Sequence, residues 1–161
     1  MNSLQDDFKQ VMAHVATPVA VVTSHIAGRP AGATVSAFAS VSMSPAIILV
    51  ALDRGSETLE LVTASALFGL NVLGRDQHTT AMKFAGKGGA AKFDGTPWTL
   101  DHDVPRLGGT ASWIACTVRE LIDGGDHVVA LGNVVHAHHQ GGEPLTYHGR
   151  RFGTHSMFED V

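Results

Sequence analysis

The sequence predicts a mainly β fold, an antiparallel β-barrel that is either closed or split, with a few short helices. Apolar and β-branched runs recur along the chain, and residues typical of turns separate them. The connections between the first runs are shorter than the crossover of about a dozen residues that parallel strands need. A chain of 161 residues can bury a stable core, so we expect residues 1–161 to form a single domain.

Composition limits the partners that we expect. Charged residues make up only 16% of the chain, against 44% hydrophobic residues, which favours a homodimer. The net charge of −4 and the lack of a basic run argue against nucleic acid and anionic membranes. One cysteine, Cys116, no signal-peptide pattern and no apolar run of about 18 residues predict a cytoplasmic protein.

The chain begins with a predicted short helix over residues 4–14, where apolar side chains recur every three or four positions. Thr17-Pro18 ends this helix, because proline disfavours helical geometry in the residue before it. We expect its apolar stripe to pack into the core or against a second copy. The β-branched run 19–24 predicts a strand, and residues 27–30 a turn.

Residues 32–45 alternate between two kinds of side chain. The odd positions from 35 to 43 are apolar and mostly small, so an extended chain would present them to a core. The even positions form a row of hydroxyls that one aromatic side chain interrupts: Thr34, Ser36, Phe38, Ser40, Ser42 and Ser44. Such a row would suit a flavin, but an ordinary exposed strand face remains the alternative.

The middle of the chain alternates strands with short helices. Residues 46–52 are apolar on both faces and predict a central strand. After a turn, Ser56 is a plausible N-cap for a helix over 57–64, and this helix start is a possible anion site. A strand over 67–73 and a helix over 76–84 follow.

Residues 85–93 combine glycine and lysine, which indicates either a mobile loop over a phosphate or a plain surface loop. The P-loop spacing is absent. Residues 98–106 are predicted to wrap the surface. The last strands are predicted at 112–121, at 127–137 and at 145–152.

Other chemistry has weaker support. His136 and His138 would share a strand face, with His139 beside them, but a zinc site needs three or four converging ligands. The sequence lacks the G-x-S-x-G nucleophile elbow, so a hydrolase has little support. It also has no G-x-G-x-x-G motif after a strand, which argues against a Rossmann domain. His127 begins a strand at the rim of the sheet, where a histidine can act near neutral pH.

Five motifs in register resemble the short-chain flavin reductases, the NAD(P)H:flavin oxidoreductases of two-component monooxygenases. The resemblance covers about residues 8–152. The motifs are Thr34-x-Ser36-x-Phe38-x-Ser40-Val41-Ser42, Arg54-Gly55-Ser56-x-Thr58, Phe68-x-x-Asn71-Val72-Leu73, Phe84-Ala85-Gly86 with Lys92-Phe93, and Gly125-Asp126-His127 with Gly132-x-Val134.

This resemblance implies a split β-barrel of the FMN-binding type that forms a homodimer with the flavin near the subunit interface. It implies hydride transfer from NADH or NADPH to FMN or FAD, with reduced flavin diffusing to a partner monooxygenase. NADH is preferred because no basic cluster is placed for a 2′-phosphate. A flavin-binding electron-transfer module without nicotinamide activity is the alternative, and a metal-binding barrel using the three clustered histidines is a weaker one.

The resemblance also implies the site residues. His127 would lie on the nicotinamide side as the catalytic residue, and Arg151 and Phe152 would help to hold that nucleotide. No metal ligand is expected. The residues implied to bind the flavin are Thr34, Val35, Ser36, Ala37, Ser40, Val41, Ser42, Ala51, Ser56, Thr58, Phe84, Ala85, Gly86 and Lys92.

Overall fold

The structure, a computed structural model, describes residues 3–159 and contains three α-helices and twelve strands in that range. In chain order, the elements are α1 (Leu4–Ala13), β1 (Thr17–Pro18), β2 (Ala20–Ile26), β3 (Arg29–Val35), β4 (Phe38–Met43), β5 (Ala46–Asp53), α2 (Glu57–Ser65), β6 (Leu67–Val72), α3 (His78–Ala85), a 3₁₀ helix (Gly89–Phe93), β7 (Trp98–Asp101), β8 (Val104–Leu107), β9 (Ser112–Gly124), β10 (His127–His139), β11 (Leu145–His148) and β12 (Arg151–Thr154).

Most of the strands belong to one antiparallel sheet in the order β3-β2-β6-β9-β10-β5-β4. A three-stranded sheet, β1-β11-β12, and the hairpin β7-β8 pack beside it. The prediction of a mainly β, antiparallel fold with short helices is therefore confirmed. Within residues 3–159, β3 and β4 are the two edges of the large sheet and are not paired with each other, so the sheets do not close into a barrel.

The hydroxyl-bearing segment is two strands rather than one. The chain bends at Ser36-Ala37, and β4 carries a register shift between Ser40 and Ser42, so one alternation does not run through the whole segment. The prediction that the odd positions face a core is therefore wrong for β4. Met43 on that face is 82% exposed, whereas Phe38 packs against the core instead.

The apolar strand β5 lies next to the edge of the sheet, so the prediction that it is central is wrong. Ile48, Val50 and Leu52 are buried in the main core. The alternate residues, Ile47 and Leu49, lie on the opposite face and are half-buried. One apolar face of β5 thus remains partly uncovered in a single chain.

Helix α1 begins with a capping box in which Ser3 and Asp6 bond each other's backbone N–H groups. No residue of α1, all of which is described, is buried. Phe8 and Val11 are each 63% exposed, so core packing, one of the two roles predicted for this stripe, is wrong. None of the helices in residues 3–159 has the length and apolar character needed to cross a bilayer.

The main core lies between the large sheet and α2, whose Leu59 and Val62 contact β2, β5 and β6. A second core lies on the other side of β2, where Phe84 of α3 meets Phe93 of the 3₁₀ helix edge to face at 5.0 Å. These two cores fix α2 and α3 on either side of β3. The ends of both helices consequently face the same region of the molecule.

Residues 98–106, predicted to wrap the surface, instead form most of the hairpin β7-β8. The buried Asn71 of β6 holds this hairpin: its amide donates to Pro105 O at 3.4 Å and accepts from Leu107 N at 2.8 Å. Thr23 Oγ1 also donates to Pro105 O, at 2.6 Å. Both side chains are fully buried, so these bonds satisfy groups that water cannot reach.

We expect Asn71→Leu to lower the free energy of unfolding by about 2–4 kcal/mol, because it leaves Leu107 N–H buried without its acceptor. Urea unfolding followed by circular dichroism measures this change. Asn133→Ala is the matched control, since Asn133 accepts from Arg119 at the surface and should change stability little. Equal stability losses in both variants would contradict a special role for Asn71.

Candidate functional site

A cleft of about 680 Å³ opens between β3, the end of β5, the start of α2 and the segment after α3. This volume falls in the range of about 300–1,000 Å³ for small-molecule and cofactor sites. The cleft is lined by Ala31, Gly32, Ala33, Thr34, Val35, Ser36, Ala37, Ala51, Leu52, Asp53, Gly55, Ser56, Glu57, Thr58, Phe84, Ala85, Gly86, Lys87, Gly88, Gly89, Lys92 and His127.

The β3 wall of the cleft consists mainly of small residues. A Cβ on Gly32 would lie 2.8 Å from Phe84 Cδ1, so glycine is needed for α3 to pack this closely on β3. Thr34 also serves this contact, since its hydroxyl donates to Ala81 O at 2.6 Å. With so few bulky side chains, a planar ring could approach the backbone of this wall.

The turn between β5 and α2 forms a polar end of the cleft. Asp53 Oδ1 accepts from Gly55 N at 2.8 Å, and Asp53 O accepts from Ser56 N at 3.0 Å. Ser56 Oγ accepts from Leu59 N at 3.1 Å, which confirms the predicted N-cap. The first-turn N–H groups of α2 have no intrahelical acceptor, and with the helix dipole they favour an anion.

Charged side chains flank this polar end. Lys92 Nζ donates to Gly86 O at 2.9 Å, and burial lowers the pKa of Lys92 while nearby Glu57 raises it in part. Arg29 lies 3.7 Å from Glu57 and forms an ion pair with it. The cleft therefore offers an ammonium and a helix N-terminus. Of the two acids that line it, Glu57 has Arg29 as a cationic partner, and Asp53 accepts from the backbone of its own turn.

His127 stands at the rim of the cleft beside Asp53, where β10 begins. Its Cα is paired with that of Asp53, and its side chain is half-exposed. His127 Nδ1 lies 2.8 Å from Asp126 Oδ1, and this hydrogen bond lowers the pKa of the Asp126 carboxyl. The carboxylate accepts the Nδ1–H proton, so Nε2 is the ring atom free to meet a ligand.

The structure brings twelve of the predicted site residues together in this cleft. They are Thr34, Val35, Ser36, Ala37, Ala51, Ser56, Thr58, Phe84, Ala85, Gly86, Lys92 and His127. Their roles toward a ligand stay predictions. The hydroxyl of Thr34 cannot donate to a ligand at the same time, since its proton is already donated to α3.

Five other predicted residues lie outside the cleft. Ser40, Val41 and Ser42 belong to β4, which leaves the cleft after the bend at residues 36–37. Arg151 and Phe152 belong to β12. Phe152 lines a different cavity of about 370 Å³, together with His78 at the far end of α3.

Sequence reasoning missed several lining residues. Gly32 is two positions before Thr34 on the same strand and therefore shares its face, which could have identified it. Asp53 and Glu57 flank the predicted helix start and could have been included with Ser56. Leu52 carries no polar signal, and its place in the cleft depends on the pairing of β5.

The clustered histidines do not converge. His136 stacks on His102 of the β7-β8 turn, with ring centroids 4.5 Å apart. His139 faces the other way and lies 2.9 Å from Ser112 Oγ. Across residues 3–159, no group of three or more His, Cys, Asp or Glu side chains is arranged to hold a metal ion. The thiol of Cys116 is not a reactive nucleophile, since burial raises its pKa to about 12.

The fold and the cleft define a small β domain with a nucleotide-sized site, and comparison with known proteins identifies the class. Residues 12–156 match the family described as "Flavin reductase like domain". The chain is 33% identical over 150 residues to FMN reductase (NADH) SmoA of Agrobacterium fabrum, covering 92% of this chain and 85% of that one. It is 35% identical over 147 residues to the reductase component of a 4-nitrophenol monooxygenase of Rhodococcus opacus, covering 91% and 79%.

Among solved structures, the NADH:FAD oxidoreductase SgcE6 of Streptomyces globisporus, in complex with NAD and FAD fragments, superposes with a TM-score of 0.90. It is 29% identical, and the match covers 98% of this chain and 96% of that one. The chain belongs to the flavin reductase-like family. The predicted family and the predicted class of enzyme, a flavin oxidoreductase, are thereby confirmed.

Proposed function

We propose that this protein uses NADH to reduce FMN or FAD in the cleft between β3, α2 and α3. The observation that carries the proposal is the cleft itself, which joins an anion-binding helix start, a wall of small residues and a rim histidine. Two relatives that match most of the chain are named as NADH-dependent reductases, one of FMN and one of FAD, which supports the choice of substrates.

The cleft fits a flavin nucleotide by the chemistry of its donors. Ser56, the first-turn N–H groups of α2 and Lys92 would hold a phosphate. The small residues of β3 and Ala51 would lie against the ring. When bound, the flavin supplies the hydride acceptor, and this chain supplies orientation and charge around it.

His127 would act on the nicotinamide side. The hydrogen bond with Asp126 engages Nδ1 and leaves Nε2 free for a ligand in the cleft that His127 lines. From this position, the imidazole can orient a carboxamide or hold a proton near neutral pH. Hydride transfer itself needs no protein proton, so we assign His127 to binding and orientation rather than to an essential acid role.

Reduced flavin would leave the protein for a partner. The chain resembles a protein that is named as the reductase component of a monooxygenase. We therefore propose a flavin-dependent monooxygenase as the consumer of the product, reached by diffusion. Use of NADH and the lone buried Cys116 agree with a cytoplasmic location.

We propose that the chain is a split barrel and that it forms a homodimer through the outer face of β5 and β10. The outer face of β5 and β10 is apolar but only half-buried, with Leu49 opposite Leu131 and Ala51 opposite Val129. Apolar side chains paired in this way bury well against a second copy. Because Ala51 also lines the cleft, a partner on this face would lie beside the flavin site.

We expect the purified protein to oxidise NADH when FMN or FAD is added, and His127→Ala to raise the KM for NADH about tenfold. Flavin affinity, measured by fluorescence quenching, should change less than about twofold, because His127 is not among the groups proposed to hold the flavin phosphate. Steady-state kinetics at saturating flavin measure the KM. If wild-type protein binds flavin but does not oxidise NADH, the protein is an electron-transfer module instead.

We expect Lys92→Gln to weaken FMN binding about tenfold and to leave riboflavin binding unchanged, because only FMN carries the phosphate. Anaerobic fluorescence titration with both flavins measures the difference. Lys83→Gln is the matched control: Lys83 on α3 donates to Asp94 O and Thr96 outside the cleft. Equal losses for FMN and riboflavin would remove the phosphate role of Lys92.

We expect wild-type protein to have twice the mass of one chain in size-exclusion chromatography with light scattering, and Leu49→Glu to shift it toward monomer. A charge on the outer face of β5 would have to be buried in the dimer. Leu100→Glu on β7, at an exposed leucine away from that face, should remain dimeric. A monomeric wild-type protein at micromolar concentration would exclude the proposed interface.

A further inference from the structure

Arg54 is bonded to nearly every residue of the hairpin turn that carries His127. Its Nε donates to Gly125 O at 3.0 Å, and its backbone N–H donates to Asp126 O at 3.0 Å. Its guanidinium also forms an ion pair with Asp123 and reaches His127 O at 3.4 Å. A single side chain thus spans the turn between β9 and β10.

The turn that Arg54 holds is closed by the pairing of Gly124 with His127, but its own residues are open to solvent. Residues 123–126 are all exposed, and Gly125 has a φ of +80°. Glycine in this region adds backbone freedom to a turn that is already open to water. The planar guanidinium restricts that freedom, because its donors occupy fixed directions.

Arg54 itself is anchored in a rigid turn. Asp53 and Gly55 on either side of it line the cleft, and Asp53 bonds the backbone of Gly55 and Ser56. Arg54 is not among the cleft-lining residues. Any effect of Arg54 on a ligand must therefore pass through the residues that it contacts.

We propose that Arg54 is a positioning residue that holds the imidazole of His127 at a fixed distance from the phosphate end of the cleft. This inference rests on the role of His127 in the proposed function. The guanidinium joins the turn that carries Ser56 to the turn that carries Asp126 and His127. Arg54 thereby ties the turn before α2 to the neighbouring turn that carries the histidine, without touching either substrate.

The first test needs no ligand. Hydrogen–deuterium exchange of ligand-free protein should show residues 121–128 exchanging about fivefold faster in Arg54→Gln than in wild type, because the guanidinium bonds to Asp123, Gly125 and His127 are lost. Arg75→Gln is the matched control. It removes an equally exposed ion pair, with Glu143, away from the cleft, and should leave this segment unchanged. Unchanged exchange in Arg54→Gln overturns the proposal.

The second test is kinetic. Arg54→Gln should raise the KM for NADH about fivefold and leave flavin affinity within about twofold, because His127 is misplaced while the phosphate end is intact. In the His127→Ala background, Arg54→Gln should add nothing, since the histidine through which it acts is gone. Arg54→Lys should restore little, because an ammonium lacks the planar fork.

The outcomes separate this inference from the proposed function. If His127→Ala leaves the KM for NADH unchanged, the proposed role of His127 fails and the positioning role fails with it. If His127→Ala raises that KM and Arg54→Gln does not, the positioning role alone is overturned. Additive effects in the double variant also overturn it, because they would show that Arg54 acts independently of the histidine.

Discussion

The antiparallel pairing of β5 with β10 is the constraint on which the site depends. It sets Asp53 opposite His127 and so places the turn before α2 beside the rim histidine. Side chains alternate with a period of two along a strand, so a slip of one residue would turn His127 to the other face of the sheet. The buried contacts of Val50 and Leu52 oppose such a slip, because it would expose them. Core packing thereby fixes the geometry of a polar site.

The charge around the cleft depends on pairs of neighbouring side chains rather than on the net charge of the chain. The chain has a net charge of −4, yet Lys92 and the start of α2 form a region that favours anions. Arg29 offsets the acid nearest to that region, Glu57. Asp126 bonds the His127 ring. Glu57 and His127 thus each have a neighbouring side chain as a polar partner.

The sequence predicted the parts of the site that depend on local patterns. Ser56 followed a turn and preceded a helix, and the N-cap formed as expected. His127 followed a glycine-rich turn at the start of a strand. Ser40, Val41 and Ser42 were expected in the same site because the family motif that includes Thr34 and Ser36 continues through them, and two of the three also continue the row of hydroxyls. The bend at residues 36–37 separates them from the cleft, and a period-two pattern carries no information about such a bend.

The amino-acid sequence by itself determined the mainly β character, the start of α2 and the type of chemistry available, because alternation, capping and residue type act over a few neighbouring positions. Only the tertiary structure decided which strands pair, since pairing depends on contacts between residues far apart in the chain. That is why β5 lies beside the edge with one apolar face half-covered. It is also why residues 98–106 became a hairpin held by Asn71 rather than a surface loop. The same long-range pairing brought Arg54 against the turn of His127, a contact between positions 73 residues apart.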